Sequence, residues 1–394
     1  MSLPEPEILT SIVARVFRIH DVTTGDLQKG WLVRYRGQLL MEDSAAAYDQ
    51  LAEFLKPHGL MPLFRKDGNR QLIFLAPAPS EVKPKSPKIN IIMFVLTVFS
   101  VMLAGAVPDG PIPEDFGGQA LVLLKNIFSG WPFALSLLGI LVAHEFGHYL
   151  MSRRHKTPAT LPFFIPFPFS PFGTMGAFIQ MQSVPKNKRV LFDIGVAGPL
   201  AGMAVAIPVL FLGLSLSHLG MVEPSPGGFI EGNSLFYLFA KYLVFGQLLP
   251  APGATHGMSL FIYWVRYFFT GTPVPFGGTD VFIHPVAFAG WAGLLVTALN
   301  LIPAGTLDGG HITYSLFGER VRTFFPIIIG ILVVMGFVSQ TWWIWAVMLL
   351  WLGRVHAEPL DQITELDSSR RALGWFTIVL FLLVFTPVPM VLLG

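Results

Sequence analysis

The chain has 394 residues, of which 53% are hydrophobic and 13% are charged. Soluble globular domains carry about a quarter charged residues, so this composition excludes an ordinary cytosolic enzyme and predicts a protein that lies mostly in a lipid bilayer. The net charge is only +2 and Lys and Arg form no dense block, which argues against a nucleic-acid partner. Because Cys is absent, any metal must be held by His, Asp or Glu.

Residues 1–80 predict a small soluble α+β domain. The segment starts with acidic residues and no apolar core, so we expect neither a signal peptide nor a transit peptide there. Ser44 is the predicted N-cap of a helix, and the Asp-Gly-Asn run at 67–69 predicts a hairpin turn. The predicted strands are 31–41, 60–64 and 71–76. Residues 81–88 are rich in Pro and Lys and predict a stiff basic linker that leads to a membrane.

Residues 89–394 predict a membrane-embedded domain. The fold class that follows is a mostly α-helical polytopic bundle of about six to seven spans, preceded by the α+β domain. The predicted spans are 89–107, 131–151, 191–216, 284–303, 324–340, 341–353 and 374–393. The sixth span is short for a crossing. Two further apolar stretches, 235–249 and 258–269, are also short and predict interfacial or re-entrant helices.

Basic residues are unequally divided between the two sets of loops, and Lys and Arg accumulate in short cytoplasmic loops. One set carries Arg153, Arg154, Lys156, Lys186, Lys188, Arg189, Arg320, Arg322, Arg354, Arg370 and Arg371, whereas the opposite set carries only Lys125, Lys241 and Arg266. This imbalance predicts that the N-terminal domain lies on the cytoplasmic side.

The end of the second predicted span carries a motif typical of a hydrolytic zinc site. His144 and His148 are four residues apart and share one helical face, so both imidazoles can reach a single Zn²⁺. Glu145 can then contact the zinc-bound water, whose pKa the metal lowers toward ~7, and take its proton during attack on a carbonyl. An ionisable residue in a membrane helix costs about 2.5 to 3.5 kcal/mol on insertion scales and usually marks function.

Asp308 is the predicted third ligand, because a catalytic zinc has three protein ligands and one open position. The alternation of the spans places the ends of the second and fourth spans, and therefore His148 and Asp308, on the same side of the membrane. Pro303 ends the regular helix and the glycines after Asp308 permit irregular backbone, which is tolerated at that depth only inside protein or beside a water-filled cavity.

These two motifs resemble those of the site-2 protease family of intramembrane zinc metalloproteases. His-Glu-x-x-His in one membrane helix is joined by Asn-x-x-Pro-x-x-x-x-Asp-Gly, starting at Asn300, in a later one. The segments 173–177, 192–202 and 284–291 are most similar to the bacterial and plastid branch typified by the plant EGY proteins. The resemblance covers about residues 89–394.

The resemblance implies Zn²⁺ on His144, His148 and Asp308, with Glu145 as general base and Asn300 polarising the substrate carbonyl or steadying the site. It implies cleavage of transmembrane or membrane-proximal segments of single-span proteins or membrane-tethered regulators. We expect a multi-pass protein of a bacterial cell membrane, with the active site on the cytoplasmic side. His311, beside the Asp-Gly pair, is the next candidate ligand.

Two further segments have both a functional and a structural interpretation. Closely spaced Pro residues exclude a helix at 161–172, and the alternating pattern of 176–183 predicts a strand. This pair could accept an unwound substrate by strand addition, or it could be an aromatic anchor at the membrane interface. Gly198 and Gly202 let another helix approach closely, which favours internal packing over dimerisation.

Two other classes of protein remain open. A transporter or channel also places ionisable residues in membrane helices, although it gives no reason for Glu beside a His pair at i and i+4. A catalytically silent membrane scaffold of the same fold would lack a ligand or the base, and neither is missing from this sequence.

Overall fold

The computed structural model describes residues 6–25, 30–68, 70–79, 86–110, 113, 115–225, 228–352 and 358–393. The chain is mostly helical, at 55%, with an N-terminal α+β region. The predicted linker at 81–88 falls largely outside the described residues, and so does the last residue of the predicted turn at 67–69.

The N-terminal region is a four-stranded antiparallel sheet with two helices. Its elements are α1 (Pro6–Val13), β1 (Phe17–Thr24), β2 (Val33–Leu39), α2 (Ser44–Leu55), β3 (Leu60–Asp67) and β4 (Arg70–Pro77). The strand order is β1-β2-β4-β3, and the apolar faces of the helices and of the sheet form one core. The sequence did not predict α1 or β1. The N-cap is Asp43, not Ser44: the Asp43 carboxylate accepts a hydrogen bond from the Ala45 N–H, and Ser44 is the first helical residue.

Two later segments of the chain contact this N-terminal region, one near the C-terminus and one at 185–187. The strap, residues 358–367, lies against the edge strand β3, where the Phe64 N–H donates to Leu360 O (2.9 Å) and the Gln362 N–H donates to Phe64 O (3.1 Å). On its other side the strap donates twice, from Leu360 N to Pro185 O and from Asp361 N to Lys186 O, and Glu365 O accepts from Arg189 Nε. The strap therefore joins the N-terminal sheet to the loop that precedes a membrane helix.

Side chains reinforce this contact. The hydroxyls of Ser44 and Thr364 lie 2.7 Å apart in a buried position, and Lys186 pairs with Asp49 of α2. The Asp361 carboxyl is fully buried, which raises its pKa, and it accepts hydrogen bonds from the Ile363 and Thr364 N–H groups. The N-terminal region is thus docked on the chain's own membrane portion.

Helices dominate the remainder of the chain. The elements are α3 (Lys88–Ala104), α4 (Phe116–Lys125), α5 (Trp131–Arg154), β5 (Phe163–Pro166), β6 (Thr174–Phe178), α6 (Lys188–Ser215), β7 (His218–Met221), β8 (Phe229–Glu231), α7 (Leu235–Phe245), α8 (Leu260–Thr270), β9 (Thr279–Phe282), α9 (Pro285–Asn300), α10 (Asp308–Phe317), α11 (Val321–Gly336), α12 (Thr341–Leu352), α13 (Ser368–Val384) and β10 (Met390–Leu392).

Each predicted span contains a helix, but only two helices among the described residues are long and apolar enough to cross a membrane by themselves. These are 127–154, which includes α5, and α6. The predicted bundle of about six to seven spans is therefore supported only in part. The fifth and sixth spans are separate helices, α11 and α12, which pack against each other. The stretches 235–249 and 258–269 form the short helices α7 and α8.

The core of the membrane portion is built around α5, α6 and α9, which pack against one another. On the side of this core away from the strap, α7 carries a fully buried Lys241, whose Nζ lies 3.3 Å from Asp280 Oδ1 at the start of β9. Lys241 is therefore half of a buried ion pair and is not an exposed loop charge.

A disulfide can test the docking of the N-terminal region, because the natural chain has no Cys. Ser44→Cys combined with Thr364→Cys should close under mild oxidation, since the two hydroxyl oxygens lie 2.7 Å apart and disulfide geometry requires close Cβ atoms. Electrophoresis without reductant would show the cross-linked loop as a mobility shift. Ser44→Cys with Ser369→Cys is the matched control, because exposed Ser369 contacts Asp367 and not α2. Equal cross-linking of the two pairs would contradict the docking.

Candidate metal centre

Three ionisable residues lie buried on one face of α5. His144, Glu145 and His148 are 3%, 5% and 6% exposed, although the helix that carries them is otherwise apolar. Buried polar groups are costly unless they find partners, so another part of the fold must supply partners for these side chains on this face of α5.

Asp308 is that partner, and it arrives from the first turn of α10. Its Oδ2 lies 3.3 Å from His144 Nε2 and 3.2 Å from His148 Nε2, while the two Nε2 atoms lie 3.2 Å apart. A tetrahedral zinc with ligands at about 2.0 Å separates its ligand atoms by about 3.3 Å. The three side chains therefore fit one tetrahedral ion. They are the one His/Cys/Asp/Glu group of this kind among the described residues.

The tautomer and the charge of the site also suit a divalent cation. His148 Nδ1 lies 2.7 Å from the carbonyl oxygen of Ile194, so it must carry the proton, and the Nε2 lone pair points at the other ligand atoms. Two imidazole nitrogens and one carboxylate oxygen are also donor types that bind Zn²⁺ in proteins, and a divalent cation offsets the negative charge of the carboxylate.

Glycines shape the turn that brings Asp308 to the site. After α9 ends, the chain turns back through 301–307, and a Cβ on Gly309 would lie 2.1 Å from the Leu301 oxygen. A Cβ on Gly310 would lie 2.4 Å from the Gly305 oxygen. The irregular backbone that Pro303 and these glycines predict is present, and it seats the start of α10 directly on the preceding turn.

Asn300 and Glu145 flank the three ligand atoms. The Asn300 Nδ2 lies 3.3 Å from His144 Nε2, at the last residue of α9. The Glu145 carboxylate accepts a hydrogen bond from the main-chain N–H of Ile179, the first residue after β6. The structure therefore brings together all five sequence-predicted residues: His144, Glu145, His148, Asn300 and Asp308. His311 is buried next to them in α10 but is not one of the three converging ligands.

Helix α6 covers the histidine face of α5 with glycines. A Cβ on Gly198 would lie 2.0 Å from His148 Nε2, and a Cβ on Gly202 would lie 3.2 Å from His144 Cβ. A Cβ on Gly195 would lie 3.0 Å from His311 Cβ. The internal packing predicted for the Gly198/Gly202 pair is present. The missing side chains leave space on α6 for the two imidazoles of α5.

Sequence reasoning missed the main-chain partners of the site, which are the Ile194 carbonyl and the Ile179 N–H. Main-chain groups carry no residue-type signal, so no motif could identify them. It also left His155 unassigned, whereas His155 Nε2 lies 2.9 Å from Asp193 Oδ2, one residue before Ile194.

Gly198→Ala should impair metal binding, because the new methyl group would overlap the Nε2 of His148 and force the ring or α6 to move. We expect the Zn²⁺ affinity to fall by about 10-fold or more, comparable to losses on disturbing groups around a metal. The control is Gly139→Ala in the neighbouring helix α5, where a Cβ meets nothing within 4 Å. Zinc binding by chelator competition should separate the two variants; equal affinities would show that α6 does not shape the site.

The chain matches the family model of peptidase family M50 over residues 132–339. It is 30% identical over 325 residues to a probable zinc metalloprotease EGY1, chloroplastic, of Oryza sativa subsp. japonica, covering 77% of this chain and 50% of the relative. The corresponding EGY1 protein of Arabidopsis thaliana is 30% identical over 321 residues, covering 76% and 53%. A probable zinc metallopeptidase EGY3, chloroplastic, of Arabidopsis thaliana is 27% identical over 270 residues, covering 66% and 41%.

The chain spans about half the length of these relatives. The matched residues 132–339 contain the helix with the two histidines, the glycine face of α6 and the Asp308 turn. The chain therefore belongs to peptidase family M50, the family of the site-2 proteases.

Proposed function

We propose that this protein is an intramembrane zinc endopeptidase that cleaves transmembrane or membrane-proximal segments of membrane proteins. The observation that carries the proposal is the set of three ligand atoms 3.2–3.3 Å apart, with the Glu145 carboxylate beside them in an apolar helix. The names of the relatives, which include zinc metalloprotease, agree with this chemistry.

His144, His148 and Asp308 would hold the zinc. When bound, zinc lowers the pKa of a coordinated water toward ~7 and polarises a carbonyl. Glu145 accepts the proton of the attacking water and passes it to the leaving amine, as a general base and then a general acid. The Ile179 N–H orients the Glu145 carboxylate, and the Ile194 carbonyl holds His148 in the tautomer that can coordinate metal.

Asn300 has a donor in position for the substrate. Its side-chain amide lies beside His144 Nε2, so an N–H of the amide can reach a carbonyl oxygen placed at the same ion. Donors that face a developing oxyanion contribute substantially to acyl-transfer catalysis, which supports the assignment of Asn300 as a catalytic residue.

The hairpin of β5 and β6 is the proposed substrate platform. β6 pairs with β5 along one edge, and the residue after β6 contacts Glu145. A peptide that paired with β6 would therefore lie next to the proton acceptor. The exposed Phe167, Phe169 and Phe178 fit the alternative, an interfacial anchor, but the Ile179 contact favours the substrate role. The observed β6 starts two residues before the predicted strand and ends within it.

The proposed substrates are single-span proteins or membrane-tethered regulators that reach the site through the lipid bilayer. The proposed arrangement is a multi-pass bundle of about six to seven spans formed by residues 89–394, with residues 81–88 as a linker from the domain 1–80. Its proposed location is a bacterial cell membrane, with the N-terminal domain and the metal on the cytoplasmic side. The plant relatives are chloroplastic by name.

Metal binding and proton transfer are separable in this mechanism. Glu145→Gln should retain zinc and lose cleavage by about 100-fold or more, because an amide cannot accept the proton of the attacking water. Asp308→Ala should lose both zinc retention and cleavage, because it removes a ligand. Zinc content and cleavage of a reporter membrane segment would be measured in parallel. Cleavage by Glu145→Gln at the wild-type rate, or a wild-type zinc content in Asp308→Ala, would disprove the assigned roles.

The orientation can be tested by labelling single Cys residues in the Cys-free chain. Ser11→Cys and Ser369→Cys should react with a membrane-impermeant reagent from one side, and Ser225→Cys from the other. All three positions are exposed, and α6 separates Ser225 from the strap side. Reaction of Ser11→Cys and Ser225→Cys from the same side would contradict the proposed topology.

A further inference from the structure

Three side chains form a charged cluster where α5, α6 and α13 meet. Arg370, in the first turn of α13, donates from Nε to Asp193 Oδ1 and from Nη2 to Asp193 Oδ2, both at 2.7 Å. His155, just after α5, lies 2.9 Å from the same Oδ2. The side chains of Asp193 and Arg370 are 15% and 31% exposed. A bidentate Arg–carboxylate pair fixes the relative orientation of its partners more strictly than a single hydrogen bond does.

The cluster adjoins the part of α6 that contacts two metal-ligand residues. Ile194, next to Asp193, supplies the carbonyl that holds His148 Nδ1 at 2.7 Å. Gly195 follows, where a Cβ would lie 3.6 Å from the Asp308 carbonyl oxygen. A shift of residues 193–195 would therefore move the hydrogen-bond partner of His148.

This part of α6 needs support from outside the helix. Pro199 lies inside α6 and has no N–H, so the Gly195 carbonyl receives no hydrogen bond from the position four residues later. The proline ring also crowds that carbonyl, which weakens the helix between the first turns and the remainder. The first turns of α6 are consequently positioned by their tertiary contacts more than by the helix itself.

We propose that Asp193 and Arg370, with His155, are positioning residues for the metal site. The proposal rests on the proposed function, since it assigns the cluster a role in holding the proposed ligands. The ion pair fastens the first turns of α6 to α5 and α13. It thereby keeps the Ile194 carbonyl in place for His148, whose Nε2 then faces the other ligand atoms. None of the three side chains contacts the three ligand atoms directly.

Arg370→Ala is the main test, with Co²⁺ and Zn²⁺ as the probes. Loss of groups around metal ligands lowers metal affinity by about 10- to 100-fold, and Arg370 acts through one further contact, so we expect about a 3- to 10-fold loss of Zn²⁺ affinity. The visible absorption spectrum of the Co²⁺ form should change, because the His148 geometry changes. Cleavage should fall mainly in kcat. Arg370→Lys should have an intermediate Zn²⁺ affinity, because Lys keeps the positive charge but cannot form the bidentate pair with Asp193.

Two controls separate positioning from stability. Arg371→Ala removes the neighbouring, exposed ion pair with Glu365 and should leave metal affinity and the Co²⁺ spectrum unchanged. Ser259→Ala removes the N-cap of α8, where the Ser259 hydroxyl accepts from the Ile262 N–H at 3.3 Å, and it changes no contact of Arg370 or Asp193. It should lower the Tm by several degrees with little effect on the Co²⁺ spectrum.

The outcomes are decisive in each case. A lower Tm in Arg370→Ala with an unchanged Co²⁺ spectrum and Zn²⁺ affinity would overturn the proposal, as would an equal spectral change in Ser259→Ala. If Arg370→Ala does not fold, the same comparison between Arg370→Lys and Arg371→Lys decides. A wild-type protein that binds metal but cleaves no reporter would refute the proposed function, whereas the Co²⁺ spectra would still test the positioning role.

Discussion

The close contact between α5 and α6 is the constraint on which the metal centre depends. Two imidazoles point from α5 toward α6, and a helix with ordinary side chains there could not approach without displacing them. Gly198 and Gly202 remove that obstacle, and they leave α6 near enough for its Ile194 carbonyl to bind His148 Nδ1. The same close packing that membrane helices use for association here creates space and a hydrogen-bond partner for a metal ligand.

The docked N-terminal region extends this constraint to the surface of the membrane portion. The strap pairs with β3 through main-chain hydrogen bonds, and it leads directly into α13. The loop 185–187, which the strap also contacts, leads directly into α6. The N-terminal region therefore contacts the residues that immediately precede α6 and α13. These two helices carry Asp193 and Arg370 near their starts. Its position follows from main-chain pairing, from the buried Asp361 and from the packing of Leu360 and Ile363 against its core.

Local patterns made part of this structure predictable. The His144–His148 spacing follows from helical periodicity, and the need for a third ligand on the same side of the membrane pointed to Asp308, so these candidates could be named without coordinates, whereas Asn300 was implied only by the family resemblance. The β1 strand was missed because its residues alternate weakly, with exposed positions such as His20 and Val22. The strap and the Asp193–Arg370 pair join residues 175 or more positions apart, and one sequence contains no signal for such a pairing. Helix lengths were overestimated where apolar residues continue into turns, as at 301–303 after α9.

The placement of β6 beside Glu145 also addresses the energetic difficulty of the proposed reaction. A peptide bond inside a helix is shielded, so a membrane segment must unwind before its carbonyl can be attacked. Each main-chain group that loses its partner in lipid costs several kcal/mol. Pairing with the edge of β6 would return hydrogen bonds to the unwound segment and so offset that cost. Because Ile179 continues β6 and contacts Glu145, the same strand that would stabilise the extended peptide also holds the proton acceptor. In the proposed mechanism, unwinding and proton transfer would therefore occur in one place, next to the metal-binding helix that the hairpin follows in the chain.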